Sequence, residues 1–149
     1  MAAVDNREQI DRFYRALNAR RWDEMVEIVD PDFIQDWPQS GERIRGLDNF
    51  RAVVENYPEF PIIETRRIAG AEDKWVLTPT FTPLRISGTG DVYTIETLVN
   101  YPNGEVWHGV AIVQFRNGKA YRMTEYFAAP FPAAEWRAKW MEKIDPHSP

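Results

Sequence analysis

The pair Asn117-Gly118 sits between two runs rich in β-branched and aromatic residues, and it constrains the fold more than any other stretch. The segment from Glu105 to Phe127 reads EVWHGVAIVQFRNGKAYRMTEYF. A two-residue type I′ turn needs φ > 0 at both central positions, which makes Asn-Gly between such runs a strong hairpin signal. With that loop, Arg116 pairs with Lys119, and Ile112, Val110 and His108 face Met123, Glu125 and Phe127. Side chains alternate along a strand, so Gln114, Ile112, Val110 and His108 share a face with Tyr121, Met123, Glu125 and Phe127. That face is mostly apolar and carries one carboxylate and one imidazole.

The rest of the chain bounds what such a hairpin can belong to. A length of 149 residues suits one domain, 1–149, with a sizeable core. The aromatic share is 13%, with six Trp, which suits a pocket lining or a subunit interface. The net charge of −5 argues against a nucleic-acid or anionic-membrane surface. With no Cys, disulfides, a thiolate nucleophile and Cys-ligated metals are excluded. One strand His among scattered carboxylates lacks ligand spacing, so neither a metal nor another cofactor is expected. The start, MAAVDNREQ, has no apolar signal region and no apolar run approaches ~20 residues, so a cytoplasmic location is expected.

Along the chain, Asp5 with Glu8 reads as a capping box opening a helix that carries Ile10, Phe13, Tyr14 and Leu17. A second helix carries Trp22, Met25, Val26 and Val29 and stops at Asp30-Pro31. A strand from Phe33 to Trp37 ends at Pro38, and Gln39-Ser40-Gly41 is a turn. Leu47-Asp48 opens a third helix, with Asp48 as its N-cap, carrying Phe50, Val53, Val54 and Tyr57 up to Pro58. Strands follow at 62–68, 74–81 and 92–101, with a Gly-rich loop at 86–91 and a turn at Pro102-Asn103-Gly104. The hairpin supplies the last two strands. After Pro130-Phe131-Pro132, a final helix at about 133–144 carries Trp136, Trp140, Met141 and Ile144. Helices lead and a largely antiparallel sheet follows, which is α+β. Several strands are apolar on both faces, and a homodimer is the economical way to cover the second.

The segments FYRALNARRWDEMVEIVDPDF (13–33), IQDWPQSGERIRGLDNF (34–50) and FRNGKAYRMTEYF (115–127), in that order and spacing, resemble the nuclear-transport-factor-2-like superfamily. The resemblance is to its polyketide-cyclase (SnoaL-like) and ketosteroid-isomerase-like branch, and it covers the chain from Ile10 to about Phe131. It implies a cone: a strongly bent, mostly antiparallel six-stranded sheet wrapped around the N-terminal helices, with a pocket inside. Members include isomerases, epoxide hydrolases, dehydratases and cyclases, so the fold alone names no reaction.

Site residues implied by the resemblance follow position by position. Asp36, in Gln35-Asp36-Trp37-Pro38, matches the isomerase base at the end of the first strand. The oxyanion-hole Tyr lies three residues before an Ala-Leu-Asn-Ala segment; here that segment is Ala16 to Ala19 and the position is Phe13. Tyr14 is adjacent, about 100° around the helix. The second oxyanion donor falls near Ile112. On the last strand Tyr121, Met123, Glu125 and Phe127 match the pocket-facing set, and Glu125 stands six places after Lys119, where phenazine-biosynthesis members carry an acidic Glu. Polyketide cyclases pair a His and an Asp on neighbouring strands, which His108 and Glu125 match.

The expected catalytic set is therefore Glu125, His108 and Asp36. Tyr14, Trp37, Phe50, Tyr57, Glu96, Tyr121, Met123 and Phe127, with Trp107, are candidates for the ligand wall. A carboxyl inside an apolar cone has its charged form desolvated, which raises its pKa toward neutrality and fits it for proton transfer. Three functions stay open: cofactor-free acid–base catalysis on a small apolar or aromatic molecule, a binding module without turnover, and a protein-interaction domain. For Glu125 the plain alternative is a carboxylate bonded to an Arg or Tyr across the sheet; for Asp36, an exposed turn carboxylate; for each aromatic, simple core.

Overall fold

The computed structural model describes residues 5–70 and 91–145. The expected strand at 74–81 lies outside them, as does the expected loop at 86–91 apart from Asp91. Helix α1 spans Asn6–Ala19, and the Asp5 side chain caps it by accepting from the Arg7 backbone N–H at 2.9 Å. Helix α2, Trp22–Ile28, leads straight into strand β1, Val29–Trp37. The strand thus starts earlier than expected, running through Pro31, and Val29 opens it instead of ending the helix. Strand β2, Glu42–Arg45, was not expected; it is four residues long and only Ile44 is buried. Helix α3 is Gly46–Asn56; its N-cap is Arg45, without a side-chain cap bond, and not Asp48.

Strands β3 (Ile62–Gly70), β4 (Val92–Asn100), β5 (Val106–Arg116) and β6 (Lys119–Ala128) complete a six-stranded sheet in the order β2-β1-β6-β5-β4-β3. Only β1 and β6 are parallel; the other neighbours are antiparallel. The architecture is the expected α+β. The final helix is instead a 3₁₀ turn, Glu135–Trp140, with none of its residues buried. Six residues after a proline-broken lead, with no buried face, lack the packing that would propagate an α-helix. Among the described residues no helix is long and apolar enough to cross a membrane.

The β5–β6 turn is as its sequence requires, with Asn117 at φ 52° and Gly118 at φ 75°, and Arg116 opposite Lys119. One residue later a β-bulge intervenes. Ala120 pairs with Phe115, then Tyr121 is skipped and Arg122 pairs with Gln114. Beyond it Glu125 lies opposite Ala111, not Val110, and Phe127 opposite Gly109, not His108. The inner face of β5 is Gly109, Ala111, Val113 and Phe115, all buried, while His108 and Val110 are exposed.

The core lies between this inner face and the helices. Ile10, Phe13, Tyr14 and Leu17 of α1 are buried, and Phe50 takes edge contacts from Trp22 and Phe33 at centroid distances of 6.0 and 5.9 Å. Two carboxamides fasten the layers by imitating a strand. Asn18 donates to Ile63 O at 2.8 Å and accepts from Ile63 N at 3.0 Å, docking α1 on β3. Gln39 donates to Phe127 O at 2.8 Å and accepts from Phe127 N at 2.6 Å, tying the β1–β2 turn to the end of β6.

Candidate functional site

A cavity of about 340 Å³ opens between α1, α3, β1 and the inner sheet. It is at the small end of the range for ligand sites. Its deep part is lined by buried side chains, among them Tyr14, Gln35, Phe50, Met123 and Glu125. Half-exposed aromatics, including Trp37, Tyr57, Tyr101, Trp107 and Phe127, form its outer part. Neither Lys, Arg nor His is among the described lining residues; the charged groups there are Glu42 at the rim and Glu125 at depth.

Glu125 is only 6% exposed. Desolvation pushes its carboxyl up to about 7, against smaller opposing effects from Trp37 and Gln35. Gln35 Nε2 donates to Glu125 Oε1 at 2.7 Å. The Trp37 indole favours the same anion, yet its Nε1 completes full hydrogen-bond geometry with no described group. Two more buried polar atoms at this end find no partner among the described residues: the Tyr14 hydroxyl and Gln35 Oε1. Burial, and then the charge on Glu125, raise the Tyr14 hydroxyl well above its ordinary range, so it stays protonated and able to donate. One titratable acid thus stands beside the Trp37 indole that favours its anion, one unspent donor and one unspent acceptor, all on cavity-lining residues.

The residues expected at the site divide by strand parity. Glu125, Tyr14, Trp37, Phe50, Tyr57, Met123, Phe127 and Trp107 line the cavity. His108 does not: the bulge at Tyr121 turns it to the exposed outer face, opposite Leu98 and Ala128. Tyr121 is absent from the lining, and the Arg116 guanidinium lies 4.8 Å from its ring centroid. Asp36 points to the side of β1 opposite Gln35 and Trp37. There it takes bidentate bonds from its cross-strand partner Arg43 at 2.6 and 2.9 Å, with Arg122 at 4.0 Å. Glu96 is exposed and paired with Arg67 at 2.9 Å, its register partner across β3–β4. Tyr14 and Phe13 both line the cavity, so the position adjacent to the expected oxyanion Tyr supplies the hydroxyl.

The sequence reading missed Gln35, Gln39 and Tyr101. Gln35 was recoverable: it lies two residues from Trp37 on one strand and so shares its face. Gln39 and Tyr101 act from turns, which carry no periodicity.

No curated protein matches the chain. Among solved structures it is similar to an NTF-2 like protein of unknown function from Burkholderia xenovorans LB400, at 35% identity over 94% of this chain and 95% of the other, TM-score 0.71. It shares the fold of a protein from Kribbella flavida proposed to be a ketosteroid isomerase, with 18% identity, coverage of 95% and 91%, and TM-score 0.72. It also shares the fold of IdmH, a proposed polyketide cyclase from Streptomyces antibioticus, with 14% identity, coverage of 83% and 91%, and TM-score 0.61. The model of the SnoaL-like domain matches residues 10–123, most of the chain, and the protein belongs to that SnoaL-like family within the nuclear-transport-factor-2-like fold.

Proposed function

We propose that the protein moves a proton on a small, uncharged, largely apolar ligand held in the cavity, without a cofactor. This is reaction chemistry of the isomerase, cyclase, dehydratase or hydrolase kind. One observation carries the reading: the buried carboxyl of Glu125 stands with Tyr14 Oη and Gln35 Oε1, two buried polar atoms that find no partner among the described residues. A group that titrates near neutrality can take a proton and return it, which is typically worth ~10²–10⁴-fold. Gln35 Nε2 orients the carboxyl by donating to Glu125 Oε1, and Tyr14 is the donor for charge developing on a ligand oxygen. With His108 and Asp36 off the cavity, Glu125 acts without either.

The same cavity without turnover is the second reading, and it is favoured because the described residues place no other carboxylate, Lys or His at the deep end. A protein-interaction role through a filled pocket fits less well, since the described residues enclose a lumen of about 340 Å³. A homodimer belongs to the proposal as well: Val110 and Tyr126 on the outer sheet face and Trp136 and Trp140 beyond it are exposed. Sedimentation as a monomer would remove that part.

Deuterium uptake from heavy water into β-tetralone, an enolisable two-ring ketone, tests the catalytic reading by proton NMR. Wild type is expected to exceed the buffer rate, and Glu125→Gln to return to it. Equal rates in both proteins sink the assignment of Glu125; binding of tetralone with no exchange in either leaves the binding module.

A further inference from the structure

The outer part of the cavity holds a polar feature that proton transfer at Glu125 does not use. The hydroxyls of Tyr57 and Tyr101 lie 3.2 Å apart, and both residues line the lumen. They reach it from separate elements: Tyr57 is the C-cap of α3, and Tyr101 follows β4. Both rings are fixed. Tyr57 meets Phe60 edge-on at 5.3 Å, and Tyr101 meets Trp107 at 5.4 Å. The Tyr101 backbone closes the β4–β5 turn, its N–H donating to Glu105 O at 2.9 Å and its carbonyl accepting from Gly104 N at 3.0 Å. Trp107 commits its indole N–H to Glu105 at 2.9 Å, which leaves it as an apolar wall.

Two phenols carry two O–H hydrogens, and their mutual bond uses one. The other hydrogen and the spare lone pairs remain for a third group. Burial, and then the bond to Tyr57, raise the Tyr101 hydroxyl above its ordinary range, so it stays protonated at working pH. Between this pair and Glu125 the walls are mainly apolar or aromatic, and no described lining residue is cationic.

We propose that the ligand is bipolar and uncharged: a hydroxyl or carbonyl group at the Glu125 end, a ring body, and a second hydroxyl or carbonyl held by the Tyr57–Tyr101 pair. This rests on reading the cavity as the ligand site. It adds that the outer tyrosines select the substrate by its far end, while Glu125 and Tyr14 treat the near end. Carboxylates and phosphates are rejected because no cation among the described lining residues offsets the charge of Glu42 and Glu125.

Calorimetric titration tests this with two probe pairs of different length: a naphthol against the naphthalenediol with hydroxyls at opposite ends, and a phenylphenol against the corresponding biphenol. In wild type at least one diol should bind about threefold to tenfold tighter than its mono-ol, the range of one neutral hydrogen bond. Tyr57→Phe/Tyr101→Phe, which keeps both rings, should erase that gain of diol over mono-ol; the single variants serve if the double one melts early. A hydroxynaphthoate anion should bind more weakly than the naphthol. Mono-ol binding with no diol gain, or a gain that survives the double variant, overturns the inference and leaves the cavity reading standing. No binding by any probe removes both.

Discussion

Gln35 places its amide nitrogen 2.7 Å from Oε1 of Glu125, across the parallel pairing of β1 with β6. It is the one donor to that carboxyl with full hydrogen-bond geometry among the described residues. A hydrogen bond to a charged group is worth about 1.5–3 kcal/mol, and it favours the anion. Gln35→Leu should therefore raise the Glu125 titration above its value of about 7, by about one to two pH units. Carbon NMR of labelled Glu125 reads this directly, and an unchanged midpoint would mean that Gln35 only fills space.

The same carboxyl makes stability depend on pH in an unusual sense for an acid. Its pKa rises from an ordinary 4.5 in the open chain to about 7 in the fold, because burial disfavours the anion. Between those values the native state binds more protons than the unfolded one, so stability falls as pH rises. The full benefit is present below about pH 4.5 and is gone above about pH 7, and its size is a few kcal/mol by order of magnitude. Glu125→Gln, neutral at every pH, should melt higher than wild type at pH 8 by several degrees and match it near pH 5. Parallel melting curves for the two proteins across that window would contradict the buried anion.

Much of this arrangement is written plainly in the chain, and one bulge accounts for a good part of what is not. The Asn117-Gly118 turn and the first two hairpin pairs follow from the residues alone. So does the inward set Met123, Glu125 and Phe127, because it lies past the bulge on the strand that contains it. The opposite strand pays the displacement: skipping Tyr121 turns His108 outward and Gly109 inward. Both faces of β5 carry apolar side chains, so hydrophobic alternation could not correct the slip. Asp36 failed for a related reason. Its neighbours Gln35 and Trp37 own the inner face, and Arg43 on the unforeseen β2 claims the carboxylate.

Tyr14 separates stability from function. Its hydroxyl is buried and finds no partner among the described residues, so Tyr14→Phe removes a group that gains no hydrogen bond from them on folding. Chemical denaturation should show the variant equal to wild type or up to about 1 kcal/mol more stable. If the hydroxyl is the donor for a developing oxyanion, ketone exchange should fall about 10²–10³-fold. A variant that is markedly less stable would reveal a partner for the hydroxyl and weaken its assignment to the ligand.

Gly109 tests the β4–β5 register on which the inner wall depends. It lies opposite Thr97 on β4 and Phe127 on β6, and a Cβ built there would stand 2.3 Å from Thr97 Oγ1. Both residues are buried, and overpacking of this kind typically costs about 1–3 kcal/mol. Gly109→Ala should be destabilising to that extent in the wild-type background. In a Thr97→Ala background the contact is absent, and the same substitution should cost less by at least about 0.5 kcal/mol. Denaturant melts of the four proteins in this cycle decide the point. An equal cost in both backgrounds would mean that Thr97 does not sit against Gly109, and the pairing that turns His108 outward would be wrong by a residue.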